Sequence, residues 1–224
     1  MKSIYIACSF FLLAIFTTGC KKDPFVKLNT NPATLYDILP EEQFMNVPYL
    51  AHHNALEAFY DNNRMIMPWS QLSTFSNGND QDFLLSSSNF NTRLKMFYPD
   101  LGAALTDVQH LIDIMPDEEK AKRIYMRVIP DIVKIYYAFY VSDINGSIVY
   151  SEGFQARYGG TVTPKYETQQ ELYSLWDTEL KEDVAALKAA QPGQISLGHY
   201  DPYFHGDVNA WVKAATALRL RIAM

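Results

Sequence analysis

Cysteine is scarce in this chain of 224 residues, which has two, Cys8 and Cys20. Small exported domains that cannot build a sufficient core rely on several disulfides, and two cysteines exclude that class. The chain must therefore be held together by a hydrophobic core. Its length allows one domain or one and a half, and 48% of its residues are hydrophobic.

Long basic runs are also missing. The chain has 19 Lys and Arg residues against 25 Asp and Glu, a formal net charge of −6, and its basic residues form no run longer than a pair such as Lys21-Lys22. Proteins that bind nucleic acid carry a basic patch or stripe. We therefore expect no nucleic-acid partner.

Catalytic and cofactor signatures are absent from the sequence. Ser196 and His199 lie close together but lack the Gly-x-Ser-x-Gly setting of a hydrolase nucleophile, and there is no P-loop or dinucleotide-binding glycine pattern. His52 and His53 are adjacent, so their rings point to different sides of a helix, whereas helical zinc ligands are spaced four residues apart. We predict no catalytic residue, no cofactor and no metal site, and a protein that is not an enzyme.

The amino terminus has the order of an export signal: Lys2, an apolar run from Ile4 to Phe16, then small residues ending in Cys20. The run is too short to span a bilayer comfortably. Residues 17–20 resemble a lipobox, where a lipoprotein signal peptidase cuts before a lipidated cysteine. We predict that residues 1–19 are removed and that Cys20 carries the lipid. The alternative, an ordinary signal peptide with a chance cysteine, lacks its A-x-A-like cleavage site.

Removal of residues 1–19 has two consequences for the mature chain. Cys8 is lost, so no thiol remains for a disulfide once Cys20 is lipidated. Lys2 is the only charged residue lost, so 18 basic and 25 acidic residues remain and the net charge becomes −7. Residues 20–40 are polar and interrupted by Pro24, Pro32 and Pro40, and we predict a lipidated tether there. Residues 41–224 then form a helical domain.

Helical spacing dominates residues 41–224, whereas strand alternation is almost absent. Thr168 and Glu171 form a capping box at one helix start, Asp207 caps the last helix, and Pro130 should kink or break the helix that contains it. We predict an all-α fold of antiparallel helix pairs with long loops. The predicted buried stripes are Leu94, Phe97, Leu101, Leu105, Val108, Leu111 and Ile112; Ile124, Val128, Ile132, Tyr136 and Tyr140; Leu172, Trp176, Leu180, Val184 and Leu187; and Trp211, Ala215, Leu218 and Ile222.

The last helix reaches Met224 without a Gly, Asn or Pro stop. We therefore expect the natural chain to continue, with this sequence as its amino-terminal portion.

The longest loop, residues 70–92, offers a candidate ligand site next to Trp69. A sugar presents a flat apolar face and a ring of hydroxyls, so its site needs an exposed aromatic plane beside amides and carboxylates. The candidate residues are Trp69, Gln71, Phe75, Asn77, Asn79 and Asp80. The competing interpretation is that Trp69 packs in the core at a helix end and that the loop is merely solvated.

Three segments resemble the SusD/RagB family of nutrient-binding lipoproteins. The first, residues 142–152, reads SDINGSIVYSE, and the second is Thr-Pro-Lys-Tyr at 163–166, followed by the acidic helix QQELYSLWDTEL. The third is DPYFHGD at 201–207, which leads into a helix with Trp211 and the ending LRLRIAM. The chain departs from the family pattern at Ser147, Val149, Glu167 and Thr216, where an acid, Pro, Asp and Asn are usual.

This resemblance implies an all-helical scaffold of tetratricopeptide-like helix pairs, lipid-anchored in the outer membrane and exposed on the cell surface. It also implies capture of a glycan or another nutrient and delivery to a TonB-dependent, SusC-like transporter as partner. Two alternatives remain open. One is an exported enzyme, such as a glycoside hydrolase with its catalytic part beyond Met224, and the other is a helical adaptor that binds only protein.

Overall fold

The structure, a computed structural model, describes residues 38–52, 66–74, 93–189 and 192–224, with only the backbone of His52. The predicted signal peptide, Cys20, nearly all of the predicted tether and the side chains of the His52-His53 pair lie outside the described residues. Leu39–Met224 forms one compact unit.

The described residues form helices and no β-sheet. Their only pairing of the strand type is an isolated antiparallel bridge between Ile148 and Glu167. No helix in this part of the chain is both long enough and apolar enough to cross a membrane. The α-helices are α1 (Pro40–Met45), α2 (Val47–His52), α3 (Met67–Trp69), α4 (Gly102–Asp113), α5 (Asp117–Ala121), α6 (Ile124–Asn145), α7 (Gln169–Ala189) and α8 (Val208–Ala223).

The described residues also include a π-helical stretch over Phe97–Leu101, directly before α4, and 3₁₀ turns over Ala156–Tyr158 and Gly198–Tyr200. Each long helix packs mainly on the next along the chain: α4 on α6, α6 on α7 and α7 on α8. Helix α1 packs on α4. The all-α prediction is confirmed.

Helix α6 is the central helix, because it contacts α4, α7 and α8. It is therefore buried on several sides, with Met126, Ile129 and Ile135 in the core besides Ile132. The predicted stripe at intervals of four is wrong at Tyr136, which is 47% exposed. Four residues exceed one helical turn by about 40°, so a row at this spacing drifts around the helix and leaves its buried face.

Of the kink or break predicted at Pro130, the break does not occur, since α6 runs through this residue to Asn145. Proline has no N–H to donate to the carbonyl of Met126, and such a loss usually interrupts a helix. Pro130 is buried inside α6. Packing of α6 against α4 and α7 holds the helix continuous across the missing bond.

Both predicted helix starts are confirmed. The Thr168 N–H donates to the Glu171 carboxylate at 2.8 Å and the Glu171 N–H donates to the Thr168 hydroxyl at 3.3 Å, which is the reciprocal capping box. Asp207 accepts from the N–H groups of Asn209 and Ala210 at 2.9 and 3.2 Å. The two helices that begin at these caps, α7 and α8, pack on each other.

The segment between α6 and α7 is held by side chains instead of a strand ladder. The hydroxyl of Tyr98 donates to the Val149 carbonyl at 2.8 Å and accepts from the Val149 N–H at 3.0 Å. The buried carboxylate of Glu167 accepts from the N–H groups of Tyr150 and Ser151 at 3.0 and 2.8 Å. Because the backbone groups are satisfied in this way, the segment can run along the helices in an irregular conformation.

Phe154 in this segment has a left-handed backbone, with φ of 65°. Its ring stacks on Tyr98 and meets Phe97 edge to face. The same ring covers Gly102, where a Cβ atom would lie 2.3 Å from the ring. A glycine at the start of α4 is therefore required for this aromatic cluster to close.

Candidate functional site

Trp69 and Gln71 lie in an exposed turn, here called the Trp69 turn (residues 66–74). Pro68 is buried, whereas Trp69 is 36% exposed. The Ser70 hydroxyl donates to the Met67 carbonyl at 3.1 Å, and Gln71 then has a φ of 60°. A left-handed residue reverses the chain locally, and Leu72 after it is 77% exposed.

This turn brings one aromatic plane and one amide side chain to the surface. An indole with a third of its area accessible, beside Gln71, is a combination that can stack on a flat apolar ring face and hydrogen-bond a hydroxyl. The predicted candidates Phe75, Asn77, Asn79 and Asp80 lie outside the described residues. The assignment of a ligand site to this turn therefore stays a prediction.

A second surface is an aromatic groove of about 460 Å³ between α6, α8 and the loop that precedes α8. This volume lies within the range of small-molecule pockets, roughly 300–1,000 Å³. Trp211 contacts Tyr203 and Phe204 edge to face, with ring centres 5.7 and 4.9 Å apart. The aromatic residues of the lining are Tyr136, Tyr137, Tyr203, Phe204 and Trp211.

The loop that forms one wall of the groove is organised by Asp201, which is completely buried. Its carboxylate accepts from the N–H groups of Tyr203, Phe204 and Gly206 at 2.9, 3.2 and 2.9 Å and from the indole N–H of Trp211 at 2.7 Å. Four donors satisfy the buried charge, and one carboxylate thus fixes both the loop and the first turn of α8.

Sequence reasoning placed Asp201 in a segment that resembles the SusD/RagB family but gave it no role. The signal that could have identified it is a carboxylate ten residues before a tryptophan, with Gly206 between them. Gly206 has a φ of 82°, and a Cβ atom there would lie 2.8 Å from the Gly198 nitrogen. The turn is therefore restricted to glycine.

The chemistry of the groove is mainly apolar. Burial, with a smaller contribution from Tyr137, raises the pKa of Tyr203 above its ordinary value, so this hydroxyl stays neutral at physiological pH. The cation in the lining is Arg221, which lies 3.6 Å from the Asp143 carboxylate. Such a lining suits an apolar surface or a flat ring better than a highly charged ligand.

Metal-binding geometry is not found in the described ranges, where no group of three or more His, Cys, Asp or Glu side chains could hold a metal ion.

The fold is similar to that of several solved structures. The chain is similar to a chitin-binding protein (24% identity, TM-score 0.66), to a structure described as Bacteroidetes AC2a SusD-like (23%, 0.63) and to a SusD homologue from Parabacteroides distasonis (16%, 0.62). Each alignment covers 83% of this chain, but 38%, 33% and 35% of those chains. This sequence thus spans about a third of the length of these relatives.

Sequence comparison identifies the family directly. No curated protein matches the chain, but the family model described as "SusD-like: Susd and RagB outer membrane lipoprotein" matches residues 63–224, which is most of its length. The chain therefore belongs to the SusD-like family of SusD and RagB outer membrane lipoproteins.

Proposed function

We propose that this protein is a cell-surface lipoprotein that binds a glycan or a similar nutrient and delivers it to a SusC-like, TonB-dependent transporter. Membership of an outer membrane lipoprotein family supports the location. The similarity to a protein described as chitin-binding supports a carbohydrate as the ligand class. The process involves binding and release without bond chemistry.

The observation that carries the proposal is the exposed Trp69 turn. A ligand site for sugars requires an aromatic plane that water can reach, and Trp69 is 36% exposed. Gln71 is exposed two residues later, and its amide can donate to and accept from hydroxyl groups. A rigid helical scaffold behind a polar loop is the usual arrangement of a binding site.

Trp69→Ala in the full-length protein is expected to weaken glycan binding by about 1–2 kcal/mol, the size of one aromatic contact. The measurement is titration calorimetry with a soluble chitin oligosaccharide and a panel of other soluble glycans. The melting temperature should not change, because the side chain is partly exposed and removing it leaves no large cavity.

Two matched variants make this test specific. Leu72→Ala removes an exposed side chain from the same turn, but this side chain is aliphatic and has no flat face. Tyr166→Ala removes an exposed aromatic ring that lies outside the turn. Both should bind as tightly as the wild type. Unchanged affinity of Trp69→Ala for a glycan that the wild type binds would remove the turn from the site.

Cys20→Ala is expected to release the protein from membranes into the soluble fraction, because stable attachment requires more than one acyl chain and all of them depend on this cysteine. Cell fractionation and incorporation of labelled palmitate measure the effect. Cys8→Ala is the control and should stay membrane-bound. Membrane retention of Cys20→Ala, with no palmitate in the wild type, would contradict the lipoprotein prediction.

Exposure on the outer face rests on the family resemblance alone. An acidic stretch after the cysteine is the usual export signal of such proteins, and residues 21–23 supply one acid, Asp23. Protease treatment of intact cells tests this part of the proposal. Co-purification of a TonB-dependent transporter supports delivery, release of sugar from a polysaccharide supports the enzyme alternative, and neither result supports the adaptor.

A further inference from the structure

Largely buried charged side chains lie along the contact between α6 and α7, and we call this cluster the acidic seam: Asp131 and Lys134 of α6, Glu179 and Asp183 of α7. Tyr150 connects the two helices, because its ring lies 5.3 Å from the Lys134 ammonium and its hydroxyl contacts Glu179. The Lys134 ammonium lies 3.0 Å from the Asp131 carboxylate, and both side chains are more than four-fifths buried. Glu179 and Asp183 are one turn apart on α7 and so face the same neighbours. The seam has two more carboxyl groups than its one ammonium can pair with.

The hydrogen bonds of the seam are distributed unevenly. Lys134 also donates to the Gln109 amide oxygen at 3.3 Å, and the Gln109 amide N–H donates to Asp131 at 3.3 Å. The Tyr150 hydroxyl donates to Glu179 at 3.2 Å. Asp183, by contrast, has a buried oxygen, Oδ2, with no hydrogen-bond partner among the described residues. The Lys134 ammonium is thus paired with Asp131, and within the described ranges no cation forms an ion pair with Glu179 or Asp183.

The other charged groups around the seam leave this imbalance in place. Arg127 of α6 lowers the pKa of Asp183, but its guanidinium is bound to Asp113 of α4 at 2.8 Å and is partly exposed. Glu167, from the segment before α7, adds a further negative charge near Glu179. The groups that face the two carboxyls are therefore Asp131, Lys134, Arg127, Tyr150 and Glu167, with Gln109 and Asp113 behind them.

Burial is the largest cause of the raised pKa of both α7 carboxyls, and the negative charge of Asp131 is the second largest cause. Together they raise the pKa of Glu179 to about 7 and that of Asp183 to about 8. At neutral pH Asp183 therefore mostly retains its proton in the folded chain, and Glu179 is partly protonated. An unfolded chain would have released those protons near pH 4.

We propose that the acidic seam is a proton-dependent clamp between α6 and α7, closed while Glu179 and Asp183 are protonated and loosened when both are ionised. Two protonated acids can sit beside the Lys134–Asp131 pair without net charge. Two ionised ones would place three carboxylates around one ammonium in a buried contact, where repulsion and desolvation act together.

The sign of the pH dependence follows from the direction of these shifts. The folded state binds more protons than the unfolded state between about pH 4 and pH 8. The contribution of the seam to the free energy of unfolding therefore falls as pH rises through this interval and is constant above it. Loosening should be greatest in α7, which carries both titrating groups.

Asp183→Asn in the full-length protein tests the clamp, because it removes one charge and nearly preserves the shape. The melting temperature is measured by circular dichroism from about pH 5 to about pH 9. We expect the variant to melt about 5 °C above the wild type at the alkaline end and to match it at the acidic end. In hydrogen exchange, the protection of α7 amides relative to the intrinsic exchange rate should fall at alkaline pH, and it should fall more in the wild type than in Asp183→Asn.

Two further variants keep the test decisive. Glu182→Gln, an exposed charge on the same helix, should follow the wild type at every pH. Glu179→Gln should reproduce the alkaline stabilisation if Asp183→Asn does not fold. The proposal is overturned if the wild-type melting temperature is flat across this range, or if both seam variants decline in parallel with the wild type.

Discussion

Trp176→Ala is expected to lower the free energy of unfolding by about 3–5 kcal/mol, the usual cost of deleting a buried tryptophan. Trp176 is fully buried on α7 and lies edge to face with Tyr150 and Phe139, at 5.4 and 6.3 Å between ring centres, and 5.8 Å from Tyr173. Its ring joins α6, α7 and the segment between them. Urea denaturation followed by circular dichroism measures the change.

Trp176→Phe is the matched control. The Trp176 indole N–H has no hydrogen-bond partner among the described groups, so the change to phenylalanine breaks no hydrogen bond to them. The smaller ring keeps most of the aromatic contacts, and the expected loss is below about 1.5 kcal/mol. If Trp176→Phe lowered the free energy of unfolding as much as Trp176→Ala, packing of the ring against its aromatic neighbours would not explain the stability.

Asp201→Ala is expected to cost about 3–4 kcal/mol, because it leaves three backbone N–H groups and the Trp211 indole without their common acceptor. The loop before α8 should then lose its fixed conformation, and with it one wall of the aromatic groove. Thermal and urea unfolding measure the stability, and the change in the near-ultraviolet circular dichroism, to which Trp211 contributes, reports on the loop.

Asp207→Ala is the comparison, since this carboxylate also accepts from two backbone N–H groups, but at an exposed helix start. Loss of such a cap typically costs about 1 kcal/mol. A larger loss at Asp207 than at Asp201 would mean that the start of α8, and not the buried carboxylate, organises this part of the fold.

The sequence predicted the fold well where local chemistry decides it. The cap residues Thr168 and Asp207 lie at helix starts, and the stripe around Trp176 is buried except at the half-buried Val184. Errors arose in α6, because a central helix is buried on several sides and has no single stripe. There the packing of neighbouring helices also overrides the breaking tendency of Pro130.

The sites were less predictable, because they depend on the path of the chain. Trp69 and Gln71 are close in sequence, and the turn indeed exposes both. The bond from Trp211 to Asp201 requires a loop to fold back over ten residues, which no periodicity reveals. The approach of Asp183 to Asp131 depends on the register between α6 and α7, and helical spacing within one element says nothing about that register.

The ring of Phe154 over Gly102 has a consequence for the evolution of the family. The two positions share one volume, and a side chain at 102 needs the space that the ring at 154 occupies. They should therefore vary as a pair: relatives with alanine or a larger residue at 102 should carry a smaller side chain at 154. Once that ring is gone, the left-handed backbone at 154 has no aromatic contact to offset its strain, so glycine or asparagine should be frequent there.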